Sequence, residues 1–252
     1  MNELTYLISA SCLAKAMRQD SLHTLQFLKA MQDTQTPFFI LSEKANTETT
    51  AQAYAVFGIN LPEETFMTTA MAGSKALRLK YPMKNKAACF GGDALKKTLE
   101  KDGWQISQDK ADFLFLSMNR NAAYSDYCWA LNVLRKGALL IVLDDALSSL
   151  NDGIWSIGTG AVAHMLEKAS GKKGWHVDLP DPLLIQMCVY SMQGLYDHTV
   201  MIDNDLERGI RAGKKAGVRT VLLMDDAVTE QSAFESPVHP DAVIPNLSGL
   251  LR

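Results

Sequence analysis

No apolar run in these 252 residues approaches the roughly 18 that a membrane-spanning helix requires. The opening residues Met1-Asn2-Glu3-Leu4 lack the basic stretch and small-residue cleavage site of a secretory leader. Cysteine is sparse and dispersed: Cys12, Cys89, Cys128 and Cys188 form no CxxC pair, so neither a disulfide framework nor a zinc ribbon is expected. The five histidines are scattered, with no HxxxH spacing that would hold zinc. A formal net charge of −3 offers no electrostatic footing for nucleic acid or an anionic membrane. Repeats and low-complexity tracts are missing too. These absences point to a cytoplasmic protein with free, buried thiols.

What is present is an ordinary globular composition, 47% hydrophobic and 21% charged, in a chain long enough for one large or two modest cores. Buried-strand and helical patterns alternate along it. Strands are expected at 6–10, 38–41, 86–90, 113–117, 139–143, 175–177, 199–202 and 220–224, with a short one at 243–244. Between them, helical spacing covers Leu22 to Met31, then 47–57, 70–79, 93–101, 125–135, 159–169, 182–194 and 206–216. Glycines 58, 103, 137, 171 and 217 stand where those helices should stop. Residues after 143, through Asp152-Gly153, read as irregular. Such alternation implies an α/β fold with parallel sheets. A change of character near Tyr81-Pro82 and again near Pro180 divides it into a core of 1–80 and 177–252 and an inserted unit of 81–176.

Five segments carry a shared pattern: the first strand running into Ser9-Ala10-Ser11-Cys12-Leu13, Thr68-Thr69-Ala70-Met71-Ala72, the Gly91-Gly92-Asp93 junction, Gly158-Thr159-Gly160-Ala161 and the Pro180-Asp181-Pro182 turn. Together they resemble the haloacid-dehalogenase (HAD) superfamily of phosphatases, in particular subfamily IIA, which includes the bacterial N-acetylglucosamine-phosphate and p-nitrophenyl phosphatases. The resemblance implies a Rossmann-like core with a parallel sheet, carrying an inserted α/β cap of the larger, C2 type.

It also implies four catalytic stations. The family's nucleophile and general acid, two aspartates, correspond to Ser9 and Ser11, and Cys12 stands where glycine is usual. Ser42 matches the hydroxyl that holds a phosphoryl oxygen, with Glu43 and Lys44 after it. The family's lysine corresponds to Leu179, next to Asp178. In the magnesium loop the principal aspartate is Asn204 and the later one Gly209, leaving Asp203 and Asp205 as weaker metal candidates. Asp144 and Asp145 fall in the cap's specificity loop as candidate substrate contacts, and Asp225-Asp226 in a loop at the same sheet end as the core stations. A serine hydroxyl is a weak nucleophile without a base, and losing a general acid costs about 10²–10⁴-fold. Leucine does no electrostatic work on a phosphoryl group.

These substitutions lead to the expectation of a non-catalytic phosphatase-fold protein, binding a small phosphorylated or sugar-like ligand, with no cofactor. The alternative is a magnesium-dependent phosphatase of small phosphorylated metabolites whose site has been rearranged. Neither nucleic acid nor membrane is expected as a partner, and the resemblance leaves room for a homodimer.

Overall fold

The computed structural model describes residues 4–42, 48–151 and 153–251. The chain opens with Thr5–Ser9 (β1), helices Ala10–Gln19 (α1) and Ser21–Asp33 (α2), Phe38–Ser42 (β2), Glu48–Ala55 (α3) and Phe66–Thr68 (β3). Thr69–Lys80 (α4) leads to Lys86–Phe90 (β4), Asp93–Lys101 (α5), Gln105–Ile106 (β5), Phe113–Leu116 (β6), Tyr124–Arg135 (α6) and Leu139–Val142 (β7). Ser148–Asn151 (β8) and Ile154–Ile157 (β9) form a hairpin before Thr159–Ser170 (α7) and Trp175–His176 (β10). Leu183–Ser191 (α8) and Thr199–Asp203 (β11) follow. A π-helical turn, Leu206–Ile210, continues as Arg211–Ala216 (α9), and Arg219–Leu223 (β12), Glu230–Glu235 (α10) and Ala242–Ile244 (β13) complete the order.

Among the described residues, one compact unit takes 4–42, 48–67 and 179–251, and the other 68–178. The first holds a sheet ordered β13-β12-β11-β1-β2-β3. Its β1, β2, β11, β12 and β13 pair in parallel, so their carboxyl ends share one edge. Strand β1 is buried throughout because helices cover both faces of a parallel sheet. On one face Tyr6, Ile8, Ile40 and Ile202 pack with Leu13, Phe27 and Leu28 from α1 and α2, and Tyr6 meets Phe27 edge-on at 5.7 Å.

The second unit has its own parallel sheet, β10-β7-β6-β4-β5. Trp104 is buried against Phe113 and Phe115, and its indole N–H donates to Ser74 Oγ at 2.7 Å. That contact, with Arg78 stacked 4.5 Å from the Trp104 ring, ties α4 to this second unit rather than to the core, where its sequence position suggested. The boundaries therefore fall at 67/68 and 178/179. No helix of the described residues is long and apolar enough to cross a membrane.

Besides the short elements β3, β5 and α10, two larger segments depart from the sequence expectation. The run after Ser9 is a helix, α1, because the Ser9 side chain accepts the Cys12 N–H and starts the turn. The stretch expected to be irregular after Leu143 contains the β8–β9 hairpin, turned through Gly153 at φ 76°.

Candidate functional site

Side chains at the carboxyl edge of the first unit's sheet are set by strand register. Ile8 lies opposite Ile202, so Ser9 and Asp203, one residue on, are neighbours at adjacent strand ends. Asp203 is buried and accepts hydrogen bonds from the Ser9 hydroxyl and, at 2.7 Å, from the Asn204 N–H. Burial pushes its carboxyl up to about 7, against the lowering effect of those two donors. Ser9 Oγ is also 3.2 Å from Ser11 Oγ, and Ser11 is exposed. A hydrogen-bonded chain thus runs from a solvent-facing hydroxyl, through a buried one, to a buried carboxyl.

Asp203 owes its room to a glycine. A Cβ at Gly209 would lie 1.8 Å from Asp203 Oδ2 and 2.4 Å from its Cγ. The Asp203 carboxyl fills the space that any side chain at 209 would need. The resemblance puts an aspartate at 209, so the site holds a carboxyl from position 203 in place of one from 209.

A second polar group lies on the same edge. Asn204 Nδ2 donates to Asp225 Oδ2 at 2.6 Å, and Lys15 forms an ion pair with that same oxygen. Asp225 Oδ1 accepts the backbone N–H groups of Ala227 and Val228 at 2.7 and 2.9 Å. Burial would raise the Asp225 carboxyl, yet Lys15, Asn204 and the two amides hold it at about 2. Asp205 Oδ1 turns to cap the helix beginning at Leu206, accepting from Glu207 N at 2.9 Å and Arg208 N at 3.0 Å.

Lys15 is the residue that sequence reasoning passed over. Its signal was the i, i+4 spacing from Ser11, which puts both on one face of α1, but that helix was not anticipated. Asp225 had been placed only as a loop acid. Cys12 is buried, and burial followed by the Asp203 charge raises its thiol well above the usual range, which suppresses the thiolate. Ser42 is buried at the end of β2, one residue beyond Leu41, which pairs with Ser9. Leu179 is buried too and brings no charge. Lys44 and Glu43 lie outside the described residues.

Asp144 and Asp145 belong to the second unit, and their carboxylates are engaged within it, Asp144 by its own loop and the start of α7 and Asp145 by His176 of β10. Asp144 accepts from Ala146 N at 2.8 Å and from Thr159 Oγ1 at 3.3 Å. Asp145 pairs with His176 Nδ1, and His176 Nε2 lies 3.3 Å from Glu167 Oε1. The Asp145 hydrogen bond raises the His176 pKa against desolvation. Gly158 and Gly160 let that loop approach α7, since a Cβ there would meet Ala146 O at 1.9 Å and Asp145 O at 2.3 Å.

Magnesium needs several hard, anionic oxygens converging in octahedral geometry. Here Asp203 is turned to Ser9 and Asn204 N, Asp205 to a helix start and Asp225 to Lys15, while Asn204 presents its amide N–H to Asp225. The donors present do not fit that ion. Among the described residues no group of three or more His, Cys, Asp or Glu is placed to hold a metal.

A parallel sheet with polar groups gathered at its carboxyl edge, and a second α/β unit inserted in the chain, define an α/β architecture. No protein-family model matches the chain. It is 26% identical over 229 residues to the ribonucleotide monophosphatase NagD of Escherichia coli K12, covering 88% of each chain. The dihydroxyacetone phosphatase of Corynebacterium glutamicum is 22% identical over 227 residues, covering 89% of this chain and 82% of that protein. Among solved structures, the thermostable p-nitrophenylphosphatase of Bacillus stearothermophilus superposes with a TM-score of 0.88 at 20% identity, over 98% of both chains. The E. coli NagD structure gives 0.85 at 24% identity, also over 98% of both. Over most of its length the chain is thus similar to phosphatases in sequence and in fold, which supports its resemblance to subfamily IIA of the haloacid-dehalogenase superfamily.

Proposed function

We propose that this protein hydrolyses small phosphomonoesters through a rearranged site in its first unit, without an aspartyl-phosphate. The relatives act, by their names, on ribonucleotides and dihydroxyacetone phosphate, which supports a small phosphorylated metabolite as the substrate class. The observation that carries the rearranged site is the chain Ser11–Ser9–Asp203. A carboxylate with proton affinity near neutrality can take a proton from Ser9 as Ser9 takes one from Ser11 and Ser11 one from a water beside it. That water's oxygen bonds to phosphorus as the ester P–O bond breaks, and the proton returns along the same chain to the leaving oxygen. Ser42, at the neighbouring strand end, is proposed to meet a phosphoryl oxygen. Asp144 and Asp145, engaged by Ala146, Thr159 and His176, are assigned to holding the second unit's loop in place rather than to the ligand.

A second reading, binding without turnover, is favoured by buried Leu179 and by Asn204, which stand where the resemblance puts a lysine and an aspartate. Phosphate release from p-nitrophenyl phosphate, nucleoside monophosphates and triose phosphates, with calorimetric binding alongside, separates the two. Turnover that falls at least tenfold in both Ser11→Ala and Asp203→Asn supports hydrolysis at this site. Saturable binding with no turnover supports the second reading. Turnover indifferent to both substitutions would sink the proposed site.

A further inference from the structure

A separate cluster of titratable side chains surrounds His176, in the second unit. His176 lies on β10 opposite Val142, the last residue of β7, where the loop to β8 departs. Its Nδ1 pairs with Asp145 of that loop, and its Nε2 lies 3.3 Å from Glu167 Oε1 of α7. Glu167 has partners of its own: the Gly174 N–H donates to Oε1 at 2.7 Å, and His164 Nδ1 lies 3.1 Å from Oε2. The Asp145 backbone N–H donates to Oδ2 of the buried Asp178 at 3.2 Å. Further along the loop, Gly158 N and Gly160 N donate to Leu147 O at 2.8 Å and Ala146 O at 2.9 Å, which seats it against the start of α7. Strand β7 contributes only apolar residues, Leu139 to Val142.

A neutral imidazole carries one N–H and one lone pair, so it can donate to a single carboxylate. Both ring nitrogens of His176 face carboxylate oxygens, and only the imidazolium can donate to the two together. Loss of the proton sets a nitrogen lone pair against a carboxylate oxygen. Glu167 belongs to a regular helix and keeps Gly174 and His164 as partners, whereas Asp145 stands on a loop, so Asp145 is the side that yields. We propose that protonated His176 is a pH-sensitive latch, holding the loop between β7 and β8 against β10 and α7 and releasing it on deprotonation. The Asp145 hydrogen bond raises the His176 pKa against desolvation, so release lies above the ordinary histidine value of about 6.5. The latch is fully closed below that value and opens as pH rises through the raised one. Burial would raise the Glu167 carboxyl, yet the Gly174 N–H, His164 and His176 hold it at about 2, and it stays charged across this range. A charge on His164, whose ring centroid is 6.1 Å from that of His176, would oppose the one on His176, with the Glu167 carboxylate between them.

Nuclear magnetic resonance of the full chain between about pH 5.5 and about pH 9 spans the ordinary histidine value and tests the latch. Ring carbon shifts give the His176 midpoint. Hydrogen-exchange protection of the Asp145 and Gly160 amides, taken relative to the intrinsic rate at each pH, reports on the loop. The His176 midpoint should lie above about 6.5, and protection of both amides should fall at least about tenfold around it, as for the loss of one charge-assisted hydrogen bond. Asp145→Asn, which keeps the shape of the side chain, should lower the midpoint and bring release to lower pH with it. His176→Gln should hold the loop at its high-pH protection throughout. Far-UV circular dichroism should match the wild type in both variants, because β10 is an edge strand and both side chains are partly exposed. A His176 midpoint at or below about 6.5 overturns the proposal, as does loop protection that stays flat through that midpoint. A transition that survives His176→Gln and disappears in His164→Gln assigns the titration to the other ring and overturns it too.

Discussion

Asp203 is the residue on which the site turns. An isolated aspartate titrates near 4, whereas burial holds this one at about 7. Between those values the folded state keeps a proton that the unfolded chain has released, so its contribution to stability falls as pH rises. The slope is about 1.4 kcal/mol per pH unit while the group alone dominates. Asp203→Asn should flatten that part of the profile. Urea unfolding of the wild type and the variant at intervals from pH 4 to pH 7 tests it, and parallel profiles would remove Asp203 as the cause. Sequence comparison had marked position 203 only as a weak metal candidate. What it could not show was that Gly209 vacates the space the carboxyl enters, a fact of three-dimensional proximity.

Among the elements, α1 decides how the polar groups are grouped. Ser9 caps it, Ser11 stands in its first turn and Lys15 reaches Asp225 from one turn further on. The Asp225 side chain is almost wholly buried, so removing its cation leaves a desolvated charge with only amide donors. Lys15→Ala should destabilise the protein by about 2 kcal/mol, below the usual loss for a fully buried pair because Lys15 is itself partly exposed. The shift in urea midpoint at pH 7 measures it, and a change under a few tenths of a kcal/mol would mean that Asn204 and the amides suffice. Strand β4 and helix α5 were legible to the residue, because their apolar periodicity is strong and Gly91-Gly92 and Gly103 bracket the helix. Helix α1 was not, since Ser-Ala-Ser-Cys-Leu also reads as the frayed end of a strand. The β8–β9 hairpin escaped because its serines carry little strand propensity and its apolar face has no core to explain it.

For the whole molecule, the α/β class and the resemblance to phosphatases were readable in the sequence, while the hydrogen-bonded groups at the first unit's sheet edge were not. Carboxylates already engaged by Ser9, Lys15 and a helix start have little left to offer a divalent cation. Millimolar magnesium should therefore leave the thermal midpoint unchanged, and EDTA should leave any phosphate release unaffected. A specific ligand binding only the folded state at 100 times its dissociation constant would stabilise by about 2.7 kcal/mol, a shift easily seen in a melting curve. A magnesium-dependent rise in midpoint would require Asp203 or Asp225 to abandon its present partner.

The alternation of apolar strands and amphipathic helices determined the α/β class, the parallel sheets and the insertion of one unit in another. Those properties depend on local periodicity and on short-range stops. The absence of two aspartates at Ser9 and Ser11 was equally a property of the sequence. Tertiary structure alone decided what replaced them, because register sets Ser9 beside Asp203 and a missing Cβ at Gly209 gives that carboxyl its room. It also brought Lys15 together with Asn204 and Asp225, from segments about two hundred residues apart in the chain. Proximity of that kind is created by packing, and no spacing along the chain encodes it.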